Sequence, residues 1–226
     1  MDVLVYEFFT RSGSVDYIRS SLISRGLAPA RSELEVRNDS NSTKLPTMSI
    51  AHGIRTLGVL GAGQMGTGIA LVSALRARVP VLLYDRSTEQ VTKGLSLMDK
   101  LLAKDVAKGR LSIEEAKEAR DKVSVVAPEV GIKGMREVDM VIEVRFYIPF
   151  IKTTSKMDFS NQAVSESLPL KQSIFASFAA ELKPDAILAT NTSSISITKI
   201  AASAILAGVN PASQEGKESA GRVVGK

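Results

Sequence analysis

A glycine pattern between two short apolar runs constrains the fold of this chain more than any other feature. The residues from Gly61 to Gly66 have the sequence GAGQMG and follow the apolar run Leu57–Leu60. A stretch with helical character extends from Thr67 to Arg78, and a second apolar run then ends at Asp85. A strand, a glycine turn, a helix, a second strand and an acidic residue in this order are typical of a dinucleotide-binding βαβ unit.

Each glycine of the pattern has a physical role in such a unit. Gly61 permits the tight turn, Gly63 lets the backbone approach a pyrophosphate, and Gly66 lets the helix and strand pack closely. The N-terminus of the helix offers free N–H groups and the positive end of its dipole to phosphates. The alternative is a plain strand-to-helix turn, which the two strands and the acid at the expected spacing disfavour.

Composition excludes several other kinds of protein. The sequence has a formal charge of +5 and no cysteine, so disulfides and thiolate metal sites are excluded. It has no run of the roughly 18 apolar residues that a membrane-spanning helix needs. The basic residues are scattered and are not interleaved with aromatic ones, which indicates no nucleic-acid partner. We therefore predict neither a membrane nor a nucleic-acid partner, and no metal site.

Strands and helices alternate from Arg55 onward, which predicts an α/β fold with a parallel sheet covered on both faces. A long charged helical region between Ser87 and Lys122 separates strands two and three. Within it, Ser112 is predicted to cap a second helix with Glu115 as its capping-box partner. The later strands are predicted at Lys122–Val126, Asp139–Glu143, Ala186–Thr190 and Arg222–Gly225. The fold class is a Rossmann-type doubly wound parallel sheet with a long helical arm.

Two further motifs give the chain a family resemblance. The run Ala189–Thr198, with the sequence ATNTSSISIT, follows a predicted strand, and Glu166 lies five residues before Lys171. With the glycine turn, Asp85 and the helical arm, these motifs resemble the NAD-binding domain of L-3-hydroxyacyl-CoA dehydrogenases, including the 3-hydroxybutyryl-CoA dehydrogenases. The resemblance covers residues 55 to 225 apart from one interruption.

The resemblance implies a cofactor, a substrate and a set of site residues. The cofactor would be NAD, bound at the turn by Gly61, Gly63, Gln64, Met65 and Gly66. Asp85 would accept hydrogen bonds from the adenosine ribose, which favours NAD over NADP, although the neighbouring Arg86 leaves room for NADP. Glu166 and Lys171 would lie along the nicotinamide side. Ser193 would contact both the acyl-CoA substrate and NAD near the reacting carbons.

Less specific interpretations remain open for two of these places. Asn191, Thr192 and Ser193 could be a polar cap between a strand and a helix. Lys171 could be a solvated helix residue with no role in binding. The family's arm contacts coenzyme A, but its positions do not align cleanly with this sequence, so we assign no arm residue.

The resemblance also implies a reaction, and the sequence departs from what that reaction needs. Oxidation of a 3-hydroxyacyl-CoA to a 3-oxoacyl-CoA requires a general base for the C3 hydroxyl proton. In the family, this base is a histidine that shortly follows a segment like Gly221–Gly225. In this sequence Gly225 is followed by Lys226. The one histidine, His52, precedes the first strand. We expect an incomplete, inactive copy without the C-terminal all-helical domain, which in the family forms the homodimer contact.

Two other kinds of protein are compatible with the same residues. One is a non-catalytic NAD-binding fragment or pseudoenzyme, which shares the fold and differs only at the base. The other is a different Rossmann enzyme, such as a β-hydroxyacid dehydrogenase, whose glycine turn is similar. The ATNTSS run and the long helical arm argue against the latter.

Two segments depart from the family pattern. Residues 1–47 are rich in Ser, Arg and Asn, but six acidic residues argue against a mitochondrial transit peptide. We expect an irregular extension there and translation from Met48, with the cytoplasm and the mitochondrial matrix left as alternatives. The segment Val144–Gln162 interrupts the family's Val-Ile-Glu-Ala-Val pattern, and we interpret it as an insertion or a retained intron. Residues 55–226 would then form one NAD-binding domain.

Overall fold

A parallel sheet of six strands forms the centre of the structure. The computed structural model describes residues 53–144, 167–192 and 194–225. The described residues from Arg55 onward belong to one compact unit, Arg55–Lys226. Several sequence predictions lie outside the described residues: those for residues 1–47, Met48, His52, residues 145–162, Glu166, Ser193 and Lys226.

The strands follow one another across the sheet in the order β3-β2-β1-β4-β5-β6, and every neighbouring pair is parallel. Their bounds are β1 Leu57–Leu60, β2 Val81–Tyr84, β3 Val123–Val125, β4 Met140–Glu143, β5 Ile187–Thr190 and β6 Val223–Gly225. This order is that of a doubly wound dinucleotide-binding fold, whose switch point lies between β1 and β4. The predicted fold class is confirmed.

The connections between the strands are largely helical. The α-helices are α1 Gln64–Val72, α2 Thr88–Ala107, α3 Ile113–Asp121, α4 Leu168–Glu181, α5 Ile197–Ala201 and α6 Gln214–Gly221. A π-helical turn, Ser73–Ala77, extends α1, and short 3₁₀ segments lie at Gly131–Met135 and Ala202–Ala204.

The sequence placed all six strands correctly, to within two residues at each end, but it misplaced the start of α1. The helix begins at Gln64 rather than at Thr67, because Gly63 is its N-cap and the second half of the glycine pattern is already helical. Its π-helical extension ends at Arg78, whose φ of 55° is left-handed and stops the helix.

Helices cover the two faces of the sheet. On one face α4 contributes Phe175 and Phe178, whose rings meet edge to face with centroids 5.4 Å apart, to a core cluster that includes Leu60. The side chain of Val59 points to the opposite face because side chains alternate along a strand. On that face Val59 lies next to Gly66 of α1. Helix α1 also contacts β2. Burial on both faces explains why the strands are apolar throughout.

The helical arm, α2 with α3, packs on α1 rather than projecting alone. Arg120 in α3 donates from Nε to Asp99 Oδ1 in α2 at 2.8 Å. The predicted capping box at Ser112 and Glu115 is present, with both reciprocal hydrogen bonds formed. Gly94 of α2 faces the glycine turn so closely that a Cβ there would lie 2.8 Å from the Ala62 carbonyl oxygen. The arm therefore braces the turn.

The described residues contain neither a membrane-spanning helix nor a cluster of metal ligands. Along these ranges, no helix has both the length and the apolar character that crossing a bilayer requires. Within the same residues, no three His, Asp or Glu side chains are grouped in a way that could hold a metal ion.

Candidate functional site

The carboxyl ends of five strands lie level at one edge of the sheet. Leu60 of β1 is paired in register with Tyr84 of β2 and with Glu143 of β4. Glu143 is paired with Thr190 of β5, which is paired in turn with Gly225 of β6. The glycine turn, Asp85 and the segments that follow β4 and β5 therefore all leave the sheet at this edge. We call it the carboxyl edge, and it is where ligands bind in open α/β sheets.

The glycine turn has the geometry that its sequence predicts. Gly61 has a φ of 114°, which is strained for any residue with a Cβ. A Cβ on Gly66 would lie 1.8 Å from the Gly61 carbonyl oxygen, so only glycine fits there. A Cβ on Gly63 would meet nothing within 4 Å. Gly61 and Gly66 are thus required by the fold, whereas Gly63 leaves open space beside the turn.

The N-terminus of α1 opens at this turn. Its N-cap is Gly63, and no side chain of the described residues caps it. The backbone N–H groups of the first turn have no intrahelical acceptor by construction. Gln64 is exposed and Met65 is half-buried, so this end of the helix is reachable from solvent. Uncapped N–H groups at the positive end of the helix dipole suit an anion such as a phosphate.

Asp85 is placed at the turn, directly after β2, and is 9% exposed. Its Oδ2 accepts from the backbone N–H of Ala62 at 3.0 Å, and its Oδ1 accepts from that of Ser87 at 2.9 Å. The carboxylate therefore fixes the turn to the exit of β2, a role that the sequence did not reveal. Because each carboxylate oxygen has two lone pairs, Asp85 keeps capacity to accept further hydrogen bonds.

Lys171 lies in the first turn of α4 and is only 3% exposed. Its Nζ donates to Glu143 Oε2 at 2.6 Å and to Thr190 Oγ1 at 3.4 Å. The interpretation of Lys171 as a solvated helix residue is therefore wrong. The physical reason is its spacing, since Lys171 precedes Phe175 and Phe178 by four and seven residues and shares their buried face.

Glu143 is a site residue that the sequence analysis missed. It ends β4 and is 0% exposed, and its Oε2 accepts from both Lys171 Nζ and, at 2.8 Å, Thr190 Oγ1. A usable signal was present in the sequence. A glutamate that closes the apolar run Met140–Ile142 is placed in a buried strand, and a buried carboxylate requires a partner.

The remaining predicted residues divide into two groups. Asn191 and Thr192 follow β5 at the carboxyl edge, where Asn191 is half-buried and Thr192 is buried. The Asn191 N–H donates to the Glu143 carbonyl oxygen at 2.9 Å. Ser193 and Glu166 lie outside the described residues, so their predicted contacts with NAD and substrate stay predictions.

Together these features fit a dinucleotide that crosses the switch point. The turn offers open space at Gly63 and uncapped N–H groups for a pyrophosphate. Asp85 offers acceptors for ribose hydroxyls on the β2 side, and polar groups line the exits of β4 and β5 on the other. The described residues thus supply the groups that such a ligand requires, and the sheet places them on one edge.

Comparison with known proteins agrees with this geometry. The model of a family described as 3-hydroxyacyl-CoA dehydrogenase, NAD binding domain, matches residues 56–205. A curated relative, the fatty acid oxidation complex subunit alpha of Pseudomonas entomophila, is 37% identical over 152 residues, which are 67% of this chain and 18% of that protein. The family resemblance inferred from the sequence is confirmed.

Solved structures give the same result. The 3-hydroxybutyryl-CoA dehydrogenase of Escherichia coli K12 matches with a TM-score of 0.57 and 31% identity, over 76% of this chain and 29% of that one. FadB2 of Mycobacterium tuberculosis matches with a TM-score of 0.56 and 31% identity, over 76% of this chain and 48% of that one. The chain thus spans less than half the length of each of these proteins.

Proposed function

Because this chain belongs to the 3-hydroxyacyl-CoA dehydrogenase family through its NAD-binding domain, we propose that it forms the NAD-binding side of an active site that oxidises L-3-hydroxyacyl-CoA to 3-oxoacyl-CoA. The observation that carries the proposal is the glycine turn with Asp85 at the carboxyl edge, beside the β1–β4 switch point. The relatives named above, which include a fatty acid oxidation complex subunit, support a role in fatty-acid or short acyl-CoA metabolism.

NAD is the cofactor of this family's domain, and the turn suits its pyrophosphate. The N–H groups at the start of α1, in Gln64 and Met65, would donate to the phosphate oxygens beside Gly63. Asp85, already fixed by the Ala62 and Ser87 N–H groups, would accept from the adenosine ribose. A 2′-phosphate at that position would meet a like charge, so the proposal favours NAD over NADP.

The nicotinamide half would then lie over β4 and β5, on the other side of the switch point. The residues proposed for it are Glu166, Lys171 and Ser193. In this position Ser193 would orient the substrate's 3-oxygen and would contact NAD. Lys171 is buried under the carboxyl edge, so its contribution would come from beneath the cofactor.

Proton transfer is the step for which the described residues offer no histidine. When bound, NAD accepts a hydride from C3 of the substrate. The C3 hydroxyl must lose its proton in the same reaction, so a general base within hydrogen-bond reach is required. The one histidine of the sequence, His52, lies outside the described residues and precedes β1, which begins at the opposite edge. Dinucleotide binding without turnover is therefore the second candidate function.

The test of binding is a titration of the 226-residue chain with NADH, monitored by nicotinamide fluorescence. We expect weak, saturable binding that the variant Gly63→Ala loses. Its added methyl meets nothing within 4 Å, so the fold should tolerate it, whereas it occupies the space proposed for the pyrophosphate. Thermal unfolding of the variant is the control. No binding by the unaltered, folded chain would overturn the proposal.

A second assay separates the two candidate functions. NADH and acetoacetyl-CoA are incubated with the 226-residue chain, and absorbance of NADH is followed. We expect no oxidation of NADH, because the described residues place no histidine at the carboxyl edge. Oxidation that depends on acetoacetyl-CoA would exclude binding without turnover and would show that the chain contains its own base.

A further inference from the structure

A buried polar cluster at the carboxyl edge contains two residues, Glu143 and Thr190, that have no role in the function proposed so far. It consists of Glu143, Lys171 and Thr190, and each of these side chains hydrogen-bonds to the other two. We propose that Glu143 and Thr190 are positioning residues for the nicotinamide half of NAD, acting through Lys171 and through Val144 and Asn191, which directly follow β4 and β5. This inference rests on the proposed function, because it assumes that NAD binds at this edge.

The location of the cluster is the first argument. A doubly wound sheet binds one half of a dinucleotide on each side of its switch point. The glycine turn and Asp85 belong to β1 and β2, on the side that suits the adenine half. Glu143 ends β4 and Thr190 ends β5, in register with each other. The cluster therefore lies under the half of the edge assigned to nicotinamide.

The cluster and the backbone next to it connect several chain segments. The Glu143 carboxylate contacts α4 through Lys171, and the Glu143 carbonyl oxygen accepts from the Asn191 N–H at 2.9 Å. The next residue, Val144, donates its N–H to the Leu60 carbonyl oxygen at 2.9 Å, directly before the glycine turn. Hydrogen bonds between buried groups hold their atoms tightly, because water does not compete for them. The carboxylate thus joins β4 to α4 and β5, and backbone hydrogen bonds of Glu143 and Val144 join the exits of β4, β5 and β1 beside it.

The buried ion pair within the cluster also favours a positioning role over a purely structural one. A buried ion pair is a poor way to gain stability, since apolar residues of similar volume often stabilise a core as well or better. The cluster adjoins a core built from residues such as Phe175 and Phe178, where apolar packing was available. Its three polar side chains lie at the one edge where a ligand is expected. A positioning role explains this placement, whereas stability alone does not.

Calorimetric titration of the full 226-residue chain with NADH and with ADP tests the proposal. ADP lacks the ribose and base of the nicotinamide half, so it reports on the adenine half alone. We expect Glu143→Gln and Thr190→Val each to weaken NADH binding by about tenfold, because a loosened supporting group misplaces the ligand. We expect ADP binding to stay unchanged. Thr190→Ser, which restores the hydroxyl, should recover the NADH affinity.

Two further variants keep the test decisive. Thr190→Val leaves the ion pair in place, so it reports even if Glu143→Gln does not fold. Asp139→Asn is the matched control, because Asp139 pairs with Lys183 just before the opposite end of β4. That control should lower the stability of the fold and leave the ratio of NADH to ADP affinity unchanged.

The outcomes separate the inference from the proposed function. If the unaltered chain binds neither ligand, the proposed function fails and the inference falls with it. If the chain binds both ligands and the folded variants keep its NADH-to-ADP ratio, the inference is wrong while the proposed function stands. An equal loss of NADH and ADP affinity would also overturn the inference, because it would indicate a general structural role.

Discussion

Strand β4 has a carboxylate–lysine pair at each end, and the two pairs differ in almost every other respect. At the carboxyl edge, Glu143 and Lys171 are 0% and 3% exposed and share Thr190 as a third partner. At the opposite edge of the sheet, which we call the amino edge, Asp139 and Lys183 are 12% and 23% exposed. Asp139 also accepts from the backbone N–H groups of Arg55 and Thr56, at 2.7 and 2.9 Å.

The difference indicates what each pair does. The amino-edge pair connects the starts of β1 and β4 with the segment between α4 and β5, through groups that water also reaches. The carboxyl-edge pair is removed from water and lies at the edge of the sheet where a ligand is expected. A carboxylate–lysine pair thus connects chain segments at one edge and, as we propose, positions a ligand at the other.

Separate replacement of Lys171 and of Lys183 should give the largest difference in stability between the two pairs. Lys171→Met removes the ammonium group that contacts the buried Glu143 carboxylate at 2.6 Å, and we expect a loss of about 3–5 kcal/mol in the free energy of unfolding. Lys183→Met leaves Asp139 with two N–H donors and access to water, so we expect a loss of about 1 kcal/mol or less. Urea unfolding measures both. Equal losses would show that the two edges are energetically alike.

Arg222 tests whether the amino edge is purely structural. Its side chain is buried just before β6, and Nη1 donates to the carbonyl oxygens of Lys183 and Pro184 at 3.1 Å, while Nη2 donates to that of Ala179 at 3.4 Å. Lysine cannot span these three acceptors, so we expect Arg222→Lys to cost about 2 kcal/mol in unfolding free energy. NADH affinity should not change. A folded Arg222→Lys variant with altered NADH affinity would contradict the separation of the two edges.

Ser112 provides a reference outside both edges. Its hydroxyl accepts from the Glu115 backbone N–H at 3.0 Å at the start of α3. We expect Ser112→Ala to lower the unfolding free energy by about 1 kcal/mol, the usual loss for an N-cap. Its effect should add to that of Lys171→Met, since the two sites share no partner. A clear departure from additivity in the double variant would mean that the arm is coupled to the carboxyl edge.

Acid should lower the contribution of Asp139 to the unfolding free energy, by less than the substitutions above do. Burial alone raises the pKa of Asp139, but hydrogen bonds from Lys183 and from the Arg55 and Thr56 N–H groups outweigh it, so the pKa lies below its ordinary value. The contribution to stability is complete above the unfolded pKa of about 3.9 and is lost as pH falls through the lower folded value. Chemical unfolding between neutral pH and acid should show a shallower loss in Asp139→Asn. An equal dependence of the unfolding free energy on pH in Asp139→Asn and in the unaltered chain would contradict the assignment of this loss to Asp139.

The sequence predicted the fold far better than it predicted the interior of the site. The positions of the strands follow from apolar runs and glycine spacing, which are local patterns. The capping box at Ser112 is local too, and it was predicted with both partners. The first turn of α1 was missed because glycine pattern and helix overlap at Gln64 and Met65, where local preference for a turn and for a helix compete.

Local patterns could indicate that Glu143 is buried, but they could not identify the residues that it contacts. Its partner Lys171 is 28 residues away, and Thr190 lies on the neighbouring strand. Only the sheet brings the three together. Each residue alone resembles something ordinary, namely a strand end, a helix residue and a polar turn. The hydrogen bond from the Ala62 N–H to Asp85 was hidden for the same reason, since it depends on the pairing of β1 with β2.

The most direct test of the account is to map where NADH binds. Backbone amide NMR shifts of the 226-residue chain would be followed during a titration with NADH. We predict shifts in the glycine turn and in the residues that follow β2, β4 and β5, with the amides around Asp139 and Lys183 unaffected. Shifts confined to the amino edge, or no shifts at saturating NADH, would contradict the claim that NAD binds across the carboxyl edge.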